Sequence, residues 1–165
     1  MKKLVAAGAL TAALSLSSCS DGPEIIEPRP TADPSTSSPS IAPPTSPPLP
    51  SRASSASSTG AATFVRYWID LFNYAARTGK TQDLRKFSAG CKPCTAYAND
   101  FEQLPSGQRP ETVPWTVTDM RVSRKGDNFV VTAEVRVLGE TEERTLNFQV
   151  RRKDPFVVRD VKEAQ

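Results

Sequence analysis

Histidine is absent from all 165 residues. That removes the commonest general base, the usual Ser-His and Cys-His catalytic groupings and most transition-metal sites. With only three cysteines and no histidine, tetrahedral zinc would need carboxylates to complete its shell, so no metal is expected. Glycine is sparse as well, at eight residues, and neither Gly90 nor Gly107 has a partner at the spacing of a phosphate-cradling loop. No cofactor is expected on these grounds. The chain has no internal repeat, which argues against a solenoid. Its apolar run from Leu4 to about Leu16 is too short to span a bilayer comfortably.

That run is informative in another way. "MKKLVAAGALTAALSLSS", residues 1–18, has a basic start at Lys2 and Lys3, an apolar middle and small residues at its end, the pattern of an export signal. Leu16, Ser17, Ser18 and Cys19 then resemble the lipobox of bacterial lipoproteins. The resemblance implies a diacylglyceryl thioether on Cys19, usually with an acylated amine, and two or more chains hold a protein stably on a membrane. The expected location is the extracytoplasmic face of the cell membrane, with nucleic acid excluded as a partner. Thiols tend to be oxidised there. With Cys19 lipidated, Cys91 and Cys94 remain as an isolated pair.

Residues 19–60 form the lipid-anchored linker of this reading. Ten of the 15 prolines lie between Pro23 and Pro50, and Ser, Thr and Ala fill most of the rest. Such a segment buries too little apolar surface to offset its ordering entropy. A chain of this kind would average roughly 35 Å end to end, or about 125 Å as extended polyproline II. Its removal is expected to leave the unfolding of the domain beyond it nearly unchanged.

Residues 61–165 carry 17 Lys and Arg against 14 Asp and Glu, along with most of the aromatics, and are long enough for one modest core. In "AATFVRYWIDLFNYAARTGK" one stripe holds Phe64, Trp68, Leu71 and Ala75, and the next holds Val65, Ile69, Phe72 and Ala76. This predicts a long helix ending at Gly79. Thr81 is placed to cap a short helix, and Pro93 to start a third that runs to Pro105. After Trp115 the period becomes two. "WTVTDMRVSRK", "NFVVTAEVRVLG", "RTLNFQVRR" and "FVVRDV" predict four strands with one buried face.

Helices followed by an antiparallel four-stranded meander make an α+β fold. The pattern resembles the cone-shaped nuclear transport factor 2-like superfamily, in which a curved sheet wraps the helices. The order of lipobox, Ser/Pro linker, "FVRYWIDLFNYAARTG", "CKPC" and meander is similar to a family of actinobacterial lipoproteins of unknown function. The resemblance to the cone implies a place for a pocket at its open end. Trp68, Phe72, Tyr97 and Trp115 could line it, but with so few aromatics in a small domain the preferred reading is that they are core.

Three function classes follow. The first is a non-catalytic accessory or binding module for a small apolar ligand or a cell-envelope protein. In the second, an acidic base in the cone acts as a catalyst; Asp70, between Ile69 and Leu71, stands out from Asp100, Asp119 and Asp160 because the apolar stripes leave little room for it. The third is a thiol oxidoreductase at Cys91-Lys92-Pro93-Cys94, which needs an exposed, low-pKa first cysteine after a strand. Here the pair follows a helical segment and Gly90, so a disulfide staple is expected. Arg151, Arg152 and Lys153 gather positive charge at a hairpin end, either as a solvated turn or as a patch drawn to an anionic surface.

Overall fold

A computed structural model describes residues 44–152 and 155–164. The signal segment 1–18, Cys19, residues 20–43 and Lys153 lie outside the described residues. The described chain is a mixed α+β structure in which three helices precede a curved four-stranded antiparallel sheet.

Helix α1 spans Ser58–Thr78 and carries the core. Its N-terminus is closed by the Ser57 hydroxyl, which accepts the Gly60 N–H at 3.0 Å. Gly79 ends it with φ 72°, in the left-handed region that favours glycine, and donates its N–H to the Ala75 carbonyl. Both apolar stripes are buried along their length. Arg109 then ties two helix ends together. Its Nη1 donates to the Thr78 carbonyl at 2.7 Å and its Nε to the Leu104 carbonyl at 3.2 Å, at the last turns of α1 and α3.

Helices α2 (Gln82–Lys86) and α3 (Lys92–Gln103) follow. Thr81 precedes α2, but its side chain does not cap it. Instead its hydroxyl donates to Glu102 and accepts from Arg85 Nε, so it joins α2 to α3. Its oxygen accepts from the Arg85 guanidinium in place of a local N–H, and its backbone is in the helical region rather than the extended one that a cap takes.

Strands β1 (Trp115–Lys125), β2 (Asn128–Val137), β3 (Glu143–Arg151) and β4 (Val157–Glu163) pair in sequence order. The alternation read from the sequence sets the register: Val131 faces Phe148 and Ala133 faces Leu146, and all four are buried. Register shifts between Val117 and Asp119 and between Gln149 and Val150 are the bulges that bend a sheet. Beyond the outer edge of β4, the Val158 N–H donates to the Phe87 carbonyl at 2.9 Å, so the segment after α2 covers that edge.

The structured region begins earlier than the Ala61 boundary drawn from composition. A single 3-10 turn at Ser51–Ser54 sets Ala53, fully buried, against α1, and Leu49 packs on the core. A β-carbon at Gly60 would run into the Ser55 carbonyl, so only glycine lets this turn sit so close. Farther upstream, Ser46 Oγ donates to Asp83 at 2.7 Å. Removing residues 20–60 would strip these contacts and the Ser57 cap, so the truncation should lower the domain's stability, contrary to the expectation from composition that its unfolding stays nearly unchanged. Two apolar side chains at irregular spacing are enough to dock a Ser/Pro-rich segment without any periodic signature.

Candidate functional site

Phe72 on α1, Tyr97 and Phe101 on α3, and Trp115 at the start of β1 meet at one end of the sheet. Phe72 stacks on Trp115 with ring centroids 4.0 Å apart, and meets Tyr97 edge-on at 5.2 Å and Phe101 at 4.9 Å. What holds Trp115 in place is a residue that sequence reading passed over. Asn73 Nδ2 donates to the Trp115 carbonyl at 2.8 Å, and the Trp115 N–H donates to Asn73 Oδ1 at 2.9 Å. A side-chain amide thus pairs with β1 as a neighbouring strand would. One turn earlier on α1, Trp68 Nε1 donates to the buried Ser88 hydroxyl at 2.7 Å.

The aromatics read as core, with a pocket as the alternative, therefore divide. Trp68 and Phe72 are closed off in the core, where they fill the interior. Tyr97, 37% exposed, and Trp115, at 9%, front a surface cavity of about 240 Å³, with Leu146 and Val161 behind them and Arg144 and Glu163 on its rim. That is below the roughly 300–1,000 Å³ usual for sites that enclose a drug-sized ligand. It suits a small apolar group with a polar end.

Asp70 is not at this cavity. It is exposed on the row of α1 shared with Arg66 and Arg77, which corrects the idea that the stripes leave it no room. Partial desolvation against the helix raises its carboxyl pKa, and the Arg66 guanidinium pulls it back down. Asp119 pairs with Arg121 at 3.1 Å and Asp160 with Lys162 at 2.8 Å, while Asp100 is exposed on α3.

The sulfurs of Cys91 and Cys94 lie at disulfide distance, with Cα atoms 5.3 Å apart. Cys91 is at the N-cap of α3, where its sulfur accepts the Cys94 N–H at 3.2 Å. Both residues are buried, at 0% and 1% exposure, so an attacking thiolate has no open sulfur to approach.

A second cleft, of about 580 Å³, lies between α1, α2 and α3, with Lys80 set among the carboxylates of Asp83 and Glu102. Arg85 binds both Glu102 oxygens, at 3.0 and 2.9 Å, and Asn99 at 2.7 Å. These bonds, the Arg85 one first and the Thr81 one next, hold the Glu102 carboxyl below its ordinary pKa. The grouping works as a clasp between helices. Arg151 and Arg152 are exposed at the end of β3. Among the described residues no helix is long and apolar enough to cross a membrane.

No curated protein matches the chain. Among solved structures it is similar to a crystal structure of a de novo designed protein with a curved β-sheet, at 16% identity and a TM-score of 0.39 over 61% of this chain and 99% of that one. Residues 34–153 match a family described as of unknown function, DUF6318, a span that takes in the linker's second half, all three helices and the first three strands. The chain belongs to that family.

Proposed function

We propose that this protein is a lipid-anchored, extracytoplasmic, non-catalytic binding module, with residues 1–18 as signal peptide and Cys19 as the lipidated first residue of the mature chain. The observation that carries the reading is the cysteine set directly after Leu16-Ser17-Ser18 at the end of an apolar run. The remaining two cysteines, at disulfide distance in the core, suit an oxidising compartment. The Ser/Pro-rich stretch to about residue 43 serves as spacer, and the domain begins near residue 44. Its curved sheet wrapped on α1 supports the finer assignment to the nuclear transport factor 2-like cone, within an actinobacterial lipoprotein family. The ligand is a small apolar group received between Tyr97 and Trp115, or a cell-envelope protein presenting one. A catalytic role is disfavoured by the exposed position of Asp70 and by the burial of the cysteine pair.

Cys19→Ala tests the anchor. Fractionation should find the wild type with the membrane, and the variant either unprocessed or released. A variant that is processed and retained like the wild type would show that Cys19 carries no lipid.

A further inference from the structure

We propose that the cleft at the end of the sheet opposite Trp115 binds a phosphate-bearing ligand through Lys125, Arg151 and Arg159. The cleft measures about 600 Å³, and those three are its charged residues. The clefts at Tyr97 and at Lys80 both set carboxylates beside their cations, so of the three this alone has charge of one sign.

Sheet register brings the cations together. Lys125 is paired with Asn128, and Asn128 with Arg151, so the three stand in one row across β1, β2 and β3. Directly paired residues share a face at steps of about 5 Å, which puts the two cations within side-chain reach of one ligand. Gln149, paired with Val130 on that face, adds an amide to the cleft. Arg159 enters from β4 and is held in place: its guanidinium lies over Gly90 and donates to the Ala89 carbonyl, leaving further N–H groups free to donate.

Elsewhere on the domain arginines meet carboxylates, as in Arg85–Glu102, Arg121–Asp119, Arg136–Glu143 and Arg144–Glu140. Among the described residues Lys125, Arg151 and Arg159 form no ion pair. The other described charged residues flanking the cleft are Arg124, which donates to the Gly126 carbonyl, Asp127 in the hairpin turn, Arg152, and Asp160, which is paired with Gln149 across the sheet and is itself met by Lys162 at 2.8 Å. The local balance stays positive. Guanidinium groups match phosphate oxygens in pairs, and an ammonium adds a compact charge. The phosphate could belong to a lipid headgroup or to a soluble compound.

The test uses the full chain carrying Cys19→Ala, so that no acyl chain contributes and a failure of the anchor assignment does not bear on the result. Titration with inorganic phosphate, followed by amide chemical shifts against chloride of equal ionic strength, should move Lys125, Gln149, Arg151 and Arg159 saturably. Lys125→Gln with Arg151→Gln should weaken binding tenfold or more, with each single change giving part of the loss. Arg121→Gln with Arg136→Gln, which removes two carboxylate-paired arginines, should leave it within twofold. Reading the single variants beside the double one keeps a folding defect in either from silencing the test. Diffuse, non-saturating shifts, or undiminished binding in the double variant, would overturn the proposal. Sedimentation with phosphatidylglycerol vesicles against phosphatidylcholine alone identifies the source. Preferential pelleting that the double variant loses assigns a headgroup, and phosphate binding without pelleting assigns a soluble phosphate.

Discussion

Trp68→Ala should bring the domain to the margin of folding, with a loss of about 4–6 kcal/mol in chemical denaturation. Truncating a buried aromatic usually removes about 3–5 kcal/mol through lost transfer energy and the cavity left behind. Trp68 is fully buried between Phe72, with ring centroids at 5.8 Å, and Phe148, at 5.6 Å, so its neighbours are aromatic rings that collapse poorly into a hole. The substitution also orphans the Ser88 hydroxyl, itself only 4% exposed, which adds about 1 kcal/mol or more. Small domains have about 5–15 kcal/mol in total. Trp68→Phe should lose clearly less, because a phenyl ring keeps most of the packing and gives up only part of the indole's volume together with the Ser88 bond. A loss below about 2 kcal/mol for the alanine variant would mean that this part of the interior is loosely packed.

Asn73→Ala should cost about 3 kcal/mol. Both Asn73 bonds run to the backbone of Trp115, 42 positions along the chain. Removing the amide leaves a buried N–H and a buried C=O without partners, each at about 1–3 kcal/mol, and replaces them with nothing. The effect should be local as well as global. Amide exchange at Trp115 should accelerate more than that at Val131 or Phe148, deep in the sheet. Thr132→Val, which breaks the half-buried Thr132–Asn147 bond on the other face, makes a useful comparison and should stay near or below about 1 kcal/mol. Equal effects at the two sites would mean that the clamp contributes no more than an ordinary side-chain contact.

The two positions also mark where sequence reading succeeds and where it stops. Trp68 is legible because it belongs to a stripe repeated every three or four residues, and the whole of α1 follows from that period. The strands are legible for the same reason at period two, down to which of Phe129, Val131, Ala133 and Val135 face inward. Asn73 lies in the row with Arg66, Asp70 and Arg77, where a polar residue reads as solvent-facing. Its burial depends on β1 arriving over that row from far along the chain, and no local pattern carries this information. Asp70 shows the converse, since its apolar neighbours in sequence belong to other faces of the helix.

Thr81 and the segment before Ser57 failed for different reasons. A threonine before a short helix does usually cap it, but here its oxygen accepts from Arg85 and its backbone is helical, while its proton goes to Glu102 on α3. The packing of Leu49 and Ala53 is invisible to periodicity because each is a single contact made by a chain of prolines and serines. As for the candidate site, the four aromatics could be listed from the sequence but not sorted. Which of them fill the interior and which face the cavity at Tyr97 is a matter of how α3 crosses α1.

Measuring the reduction potential of Cys91–Cys94 in the purified chain decides most directly between a stapled binding domain and a thiol oxidoreductase. The pair is buried and caps α3, so reduction would expose thiols in the core and loosen the helix start. The predicted potential is below about −300 mV, with slow alkylation of the reduced pair near neutral pH, as for structural bonds of secreted proteins. A potential above about −230 mV, in the glutaredoxin-to-isomerase range, together with rapid labelling of Cys91, would contradict the staple and return the pair to redox chemistry.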